Sequence, residues 1–82
     1  MSAVRSVVEV LAKALTATPD QVHVVESQHR GTTLVELYVA PGELGRVIGK
    51  QGRTAAALRT LASAAGEKEG KTVTLEIRDG RP

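Results

Sequence analysis

Between Ser2 and Leu15 the apolar residues Val4, Val7, Val8, Leu11 and Leu15 return every three or four positions, which places them on one face of a helix. Arg5, Glu9 and Lys13 alternate in sign along another face, so the segment reads as an amphipathic surface helix. Thr16, Thr18, Pro19 and Asp20 break the pattern, because proline cannot continue a helix and threonine and aspartate favour turns. The period then changes. Gln21 to Ser27 carries Val22, Val24 and Val25, a short β-branched run that predicts a strand. After the polar segment Gln28-His29-Arg30-Gly31, Thr32 to Val39 sets Val35, Leu37 and Val39 against Leu34, Glu36 and Tyr38, and the two runs together predict a β-hairpin.

Pro41-Gly42 closes that strand, and Glu43 to Ile48 is long enough for a short helix stopped by Gly49. A longer helix is expected from Arg53 to Ala65, with Ala55, Leu58, Leu61, Ala62 and Ala65 as its apolar stripe and Gly66 as its stop. Glu67 to Lys71 reads as a charged turn. Thr72 to Arg78 places Val73, Leu75 and Ile77 on one face and Thr72, Thr74, Glu76 and Arg78 on the other, a third strand with one wet face. The order helix, strand, strand, short helix, helix, strand predicts an α+β domain, a three-stranded sheet covered on one face by helices. No internal repeat or linker divides it. The expectation is a single domain over residues 1–82, frayed from Asp79 to Pro82.

Composition narrows this picture. At 82 residues the chain has room for one core, and with one Tyr and no Phe or Trp that core must be aliphatic. The absence of Cys removes disulfides and thiolate metal sites. The start, Met1-Ser2-Ala3-Val4-Arg5-Ser6, leads into a segment punctuated by Glu9 and Lys13, so neither a signal peptide nor a membrane span is drawn there, and the expectation is a soluble cytoplasmic protein. The formal net charge is only +2, so any claim of nucleic-acid binding rests on where the charges sit.

One stretch concentrates candidate chemistry: Gly45-Arg46-Val47-Ile48-Gly49-Lys50-Gln51-Gly52-Arg53. Two glycines bracket a polar pair between the end of one helix and the start of the next. Lacking Cβ atoms, they permit torsions closed to other residues and let a phosphate chain come close to the backbone. The helix opening at Arg53 turns unpaired N–H groups and its positive dipole end toward the same loop, which favours an anion by about 0.3–1 kcal/mol when exposed. Lys50 and Arg53 add mobile positive charge, with Arg46 as a further helper. Such a loop holds a nucleic-acid backbone without reading its sequence, so selectivity must come from bases in a neighbouring groove.

The run Val47-Ile48-Gly49-Lys50-Gln51-Gly52-Arg53 resembles the signature of KH domains, whose GXXG loop clamps a nucleic-acid backbone. The order of elements is similar to the prokaryotic (type II) KH arrangement, α-β-β-α-α-β, and the length resembles the bacterial single-KH family called KhpA, or YlqC-like. That resemblance implies single-stranded RNA binding, with backbone contact at Gly49, Lys50, Gln51 and Gly52. It also implies that Ile48 lines a groove for bases, with Val39, Leu44, Val47 and Ala56 as further candidates for the lining. It implies a homodimer, pairing with a second KH protein (KhpB, Jag/EloR-like), and a post-transcriptional or RNA-chaperone role linked to cell shape and cell-wall biogenesis. No cofactor is implied.

Other readings fit the residues less well. RRM and OB-type surfaces rely on stacking aromatics, and here Tyr38 is the single candidate, in a strand where packing serves as well. The segment Gly45 to Gln51 superficially resembles a nucleotide-binding P-loop, but the spacing is one residue short, Gln51 stands where a metal-holding hydroxyl is needed, and no strand enters the loop. His23 and His29 lie too far apart for a short metal motif and lack Cys partners. Ser2, Ser6, Ser27 and Ser63 have no His and carboxylate context, so no catalytic residue is assigned. The bland reading of the loop is a helix connection that merely needs glycines, and Arg59 and Lys68 read as solvated charges; the rival function is a protein-interaction module acting mainly as a dimerisation subunit with a second KH protein.

Overall fold

A computed structural model describes residues 2–82. Helix α1 spans Ala3–Leu15, strands β1 and β2 span His23–His29 and Thr32–Val39, helices α2 and α3 span Leu44–Ile48 and Arg53–Lys68, and strand β3 spans Thr72–Asp79. Two 3-10 turns, Pro19–Gln21 and Lys50–Gly52, complete the path. The sheet runs β1-β2-β3. β1 pairs antiparallel with β2 from His23↔Tyr38 to His29↔Thr32, and β2 pairs parallel with β3 from Thr32↔Thr72 to Val39↔Asp79. A parallel pair needs a crossover, and α2 and α3 supply it, so the candidate loop lies within the connection that the sheet itself demands.

Hydrophobic alternation decides which face is covered. Val24 of β1, Thr33, Val35, Leu37 and Val39 of β2 and Leu75 of β3 are buried beneath Val4, Val8 and Ala12 of α1 and Leu58 and Ala62 of α3, with Val47 of α2 in the same cluster. The core is aliphatic throughout. Thr33, a polar side chain buried in it, donates its hydroxyl to Gln28 Oε1 at 3.0 Å. The hairpin closes through Arg30 and Gly31 with φ of 49° and 84°, the two positive values that a tight two-residue turn requires. At the start of α1, Ser2 accepts the Arg5 N–H at 3.1 Å and donates its own hydroxyl to Glu26, which caps the helix and ties it to β1.

Several expectations change. β1 begins at His23 rather than Gln21, because Gln21 is consumed by the 3-10 turn that Pro19 initiates. Leu15 is exposed: as the last residue of α1 it has no following turn to shelter it. Leu61 is also exposed, since it stands about a quarter-turn from the Leu58–Ala62 line that faces the sheet. Gly66 does not stop α3, which runs to Lys68. Gly66 is buried inside it, where a Cβ would lie 2.4 Å from Val73 Cγ2 and 3.1 Å from the Lys71 carbonyl. The glycine is there so that the start of β3 can cross the helix closely. Beyond Arg78, Asp79 still belongs to β3, and the Gly80 N–H donates to the Val39 carbonyl at 2.8 Å.

Candidate nucleic-acid interface

Helix α2 is five residues long, and such a helix holds its place by its anchors. Val47 is one, fully buried in the core; Leu44 packs against the same cluster. Glu43, at the N-cap position, makes no side-chain cap bond and turns its carboxylate back toward α1. There Oε1 accepts the Thr16 hydroxyl at 2.7 Å and the Ala17 N–H at 2.6 Å, while Oε2 meets Arg46 Nε at 3.3 Å. These contacts hold the Glu43 carboxyl below its ordinary range, the Thr16 and Ala17 hydrogen bonds first and the Arg46 charge after them, against an opposing effect of desolvation.

The Gly49 N–H bonds back to the Gly45 carbonyl at 2.9 Å and ends α2. The chain then reverses through Gly49 (φ 75°, ψ 175°), Gln51 (φ 57°, ψ 24°) and Gly52 (φ 73°, ψ 13°). Such a succession of positive φ values suits glycine at its two ends. The Gly52 N–H returns to the Gly49 carbonyl at 3.1 Å and the Arg53 N–H to the Lys50 carbonyl, while the N–H groups of Lys50 and Gln51, between these closures, take no backbone acceptor among the described residues. α3 begins at once, with its positive end against the loop.

The site's charge is local. No acidic residue lies between Glu43 and Glu67, while Arg46, Lys50, Arg53 and Arg59 do. Lys50 is exposed and takes part in no ion pair among the described residues. Arg53 is exposed and donates from Nη2 to Gln51 Oε1 at 2.9 Å, which braces the loop against the first turn of α3. Arg46 leaves 59% of its side chain in solvent even while paired with Glu43.

The expected aliphatic groove needs correction. Val39 and Val47 are fully buried, so their side chains belong to the core and no base reaches them. Ile48 and Leu44 are half-buried and Ala56 is exposed. Those three keep side-chain surface in solvent. Tyr38 lies in β2 between His23 and Arg78 in register, and its hydroxyl donates to Glu36 at 3.1 Å. Partial burial, then the hydrogen bond and charge of Glu36, push its phenol above the ordinary value. It is part of the sheet's polar lattice, where Arg78 also pairs with Glu36 at 3.3 Å and with Glu76. His23 and His29 join no metal-ligating group among the described residues.

Two contributors escaped the sequence reading. One is Glu43, whose role depends on α1 and α2 meeting in space. The other is Thr54, on which Gly49 sits so closely that a Cβ at Gly49 would be 2.2 Å from Oγ1. The acid-free stretch from Leu44 to Gly66 was the available signal for the local field.

The chain is similar to known proteins. Residues 5–77 match the family model described as KhpA/KhpB, KH domain. The chain is 53% identical over 77 residues to the RNA-binding protein KhpA of Aquifex aeolicus, covering 94% of this chain and 98% of that one. It is 47% identical to the KhpA of Clostridium perfringens, covering 89% and 97%, and 41% identical to that of Chlamydia trachomatis, covering 87% and 91%. Among solved structures, Era of Aquifex aeolicus bound to GDP and AlF4 superposes with a TM-score of 0.62 at 16% identity over 95% of this chain and 31% of that one. Era in complex with MgGDPNP and nucleotides of 16S ribosomal RNA gives 0.63 at 18% over 93% and 29%. The chain thus spans about a third of either Era structure, and that likeness speaks for the fold.

Proposed function

The chain belongs to the KhpA/KhpB family of KH domains, and we propose that it binds single-stranded RNA through the Gly49-Lys50-Gln51-Gly52 loop. The observation that carries this reading is the loop itself: two N–H groups and a lysine with no partner among the described residues, held between glycines at positive φ against the N-terminus of α3. The relatives named RNA-binding protein KhpA support it.

In this reading a segment of about four nucleotides crosses the loop. Its phosphates meet the Lys50 and Gln51 amides and the Lys50 ammonium, with Arg46 and Arg53 at the flanks. Its bases lie against Ile48, Leu44 and Ala56. No step requires a cofactor or catalytic group. So few nucleotides give modest affinity and selectivity, which suits a cytoplasmic post-transcriptional regulator or RNA chaperone that acts as one domain and gains by presenting two loops to one RNA.

A second reading, self-association, is favoured by a separate observation. Val10 is 65% exposed and Leu61 47% exposed, and with Val7 and Leu11 they line a shallow apolar depression between α1 and α3. That surface suits a homodimer, or a heterodimer with a KhpB-type KH protein, and both readings hold together if the dimer carries two RNA loops.

The deciding experiment measures binding of a short random single-stranded RNA pool to wild type and to the folded double variant Lys50→Asp, Gln51→Asp. Loss of salt-sensitive binding in the variant is the expected result. Equal binding by both proteins, or none by the wild type, removes the loop from the mechanism and leaves the interaction module.

A further inference from the structure

We infer that Glu43 is a positioning residue of the RNA site: it anchors α2 to the end of α1 with one carboxylate oxygen and, with the other, holds Arg46 in readiness for a phosphate. The inference rests on the RNA-binding reading above and adds to it a residue outside the loop.

The two oxygens divide the work. Oε1 takes the Thr16 hydroxyl and the Ala17 N–H, both at the C-terminal end of α1. Oε2 faces Arg46 Nε at 3.3 Å. The backbone reinforces the same corner, since the Glu43 N–H donates to the Ala40 carbonyl and the Arg46 N–H to the Glu43 carbonyl, each at 3.0 Å. Only 15% of the Glu43 side chain is exposed, against 59% for Arg46, so the carboxylate is the fixed partner and the guanidinium reaches outward from it. The 3.3 Å contact is made through Nε, and 59% of the Arg46 side chain remains in solvent, so its guanidinium can meet an incoming phosphate while still held by Glu43. A guanidinium is a planar fork of donors that matches two phosphate oxygens.

Orientation is the consequence. A five-residue helix held only by the apolar contacts of Val47 and Leu44 could still tilt on them, and Gly49 follows directly after its end. The link to α1 removes that freedom and fixes the approach to the loop. A carboxylate beside an RNA site could instead act as a screen that lowers affinity. The two roles predict opposite signs, because loss of a screen strengthens binding and loss of a positioner weakens it.

The test compares wild type, Glu43→Gln, Arg46→Ala, the double variant and Thr16→Val by affinity for the same single-stranded RNA pool at one salt concentration, with thermal melts confirming folding. Glu43→Gln and Arg46→Ala are each expected to weaken binding about three- to tenfold, and the double variant to lose less than the product of the two single losses. Thr16→Val, which removes one anchor and leaves every charge in place, is expected to weaken binding about two- to threefold and keeps the test open should Glu43→Gln unfold. Stronger binding by Glu43→Gln, or a double variant whose loss is the product of the two single losses, overturns the proposal. The Glu43 carboxyl titration, followed by NMR in the free wild type and held low by the Thr16 and Ala17 hydrogen bonds and the Arg46 charge, reports the anchorage without RNA. A wild type that shows this lowered titration and binds no RNA therefore overturns the RNA reading and not the anchorage.

Discussion

Gly49 lies directly against Thr54: a Cβ added to the glycine would stand 2.2 Å from Thr54 Oγ1 and 2.7 Å from Thr54 Cβ. The two glycines of the loop are therefore not equivalent. Both have positive φ, but Gly52 has nothing within 4 Å of where its Cβ would be. Gly52→Ala is expected to cost about 1–2 kcal/mol, the strain of a left-handed alanine. Gly49→Ala adds an overpacking cost of about 1–3 kcal/mol. Because Thr54→Ala removes the hydroxyl and keeps the Cβ, the pair Gly49→Ala, Thr54→Ala recovers only part of the loss. Urea titrations of the four proteins check this ordering; equal costs at the two glycines contradict it.

Gly66 gives the same argument in a helix interior. On propensity alone Gly66→Ala should stabilise α3 by about 1 kcal/mol. The missing Cβ is where Val73 Cγ2 packs, so the substitution is expected instead to destabilise by about 1–3 kcal/mol. Val73→Ala in the same chain relieves the clash. Thermal melts showing a stabilised Gly66→Ala would contradict the close crossing of α3 and β3.

These glycines mark where the sequence was legible and where it was not. Alternation in Thr32–Val39 and Thr72–Asp79 named the buried faces of β2 and β3, because period two leaves no choice of face once one side is apolar. The loop was legible because Gly49 and Gly52 bracket polar residues between two helices. Gly66 was misread as a stop, since a glycine that ends a helix and one that admits a neighbouring strand look alike without the neighbour. Val39 and Val47 were misassigned to the groove because helical or strand register says that a residue faces inward without saying what it meets. Glu43 and Thr16 lie 27 positions apart, and no local pattern announces such a bond.

The depressed titration of Glu43 has a sign that stability measurements can read. A carboxyl whose folded value lies below its unfolded one stabilises the protein fully above the unfolded value and loses that contribution as pH falls through the folded value. The groups facing it are the Thr16 hydroxyl, the Ala17 amide and the Arg46 guanidinium, none of which changes charge on the acid side. The stability difference between wild type and Glu43→Gln is therefore expected to be constant near neutrality and to shrink as the solution is acidified below the ordinary carboxylate range. A difference that stays constant through that acid leg would mean the carboxylate is not held by these partners.

Lys50 predicts a salt dependence. With no carboxylate partner among the described residues, its ammonium is available to a phosphate without breaking an ion pair. Each such contact with a single strand contributes about −0.7 to the slope of log K against log salt. Lys50→Ala is expected to flatten the slope by about that amount, whereas Lys68→Ala, at the far end of α3, leaves it unchanged. Equal slopes for wild type and Lys50→Ala would place the phosphate elsewhere.

The exposed pair Val10 and Leu61 leads to a prediction independent of RNA. Burying a leucine side chain is worth about 1.5–3 kcal/mol, and this one stands beside Val7, Val10 and Leu11 in a depression with no polar side chain except Ser6 at its rim. If two copies meet through this face, Leu61→Asp brings two carboxylates into an apolar contact and the dimer dissociates. Because Leu61 stands off the Leu58–Ala62 line, the monomer's core is not disturbed. Sedimentation velocity is expected to show a dimer for wild type and a monomer for Leu61→Asp. The wild-type melting temperature rises with protein concentration and that of the variant does not, since only association couples stability to concentration. A variant that remains dimeric moves the interface to another face, and a wild type that is monomeric at high concentration leaves the RNA loop acting alone.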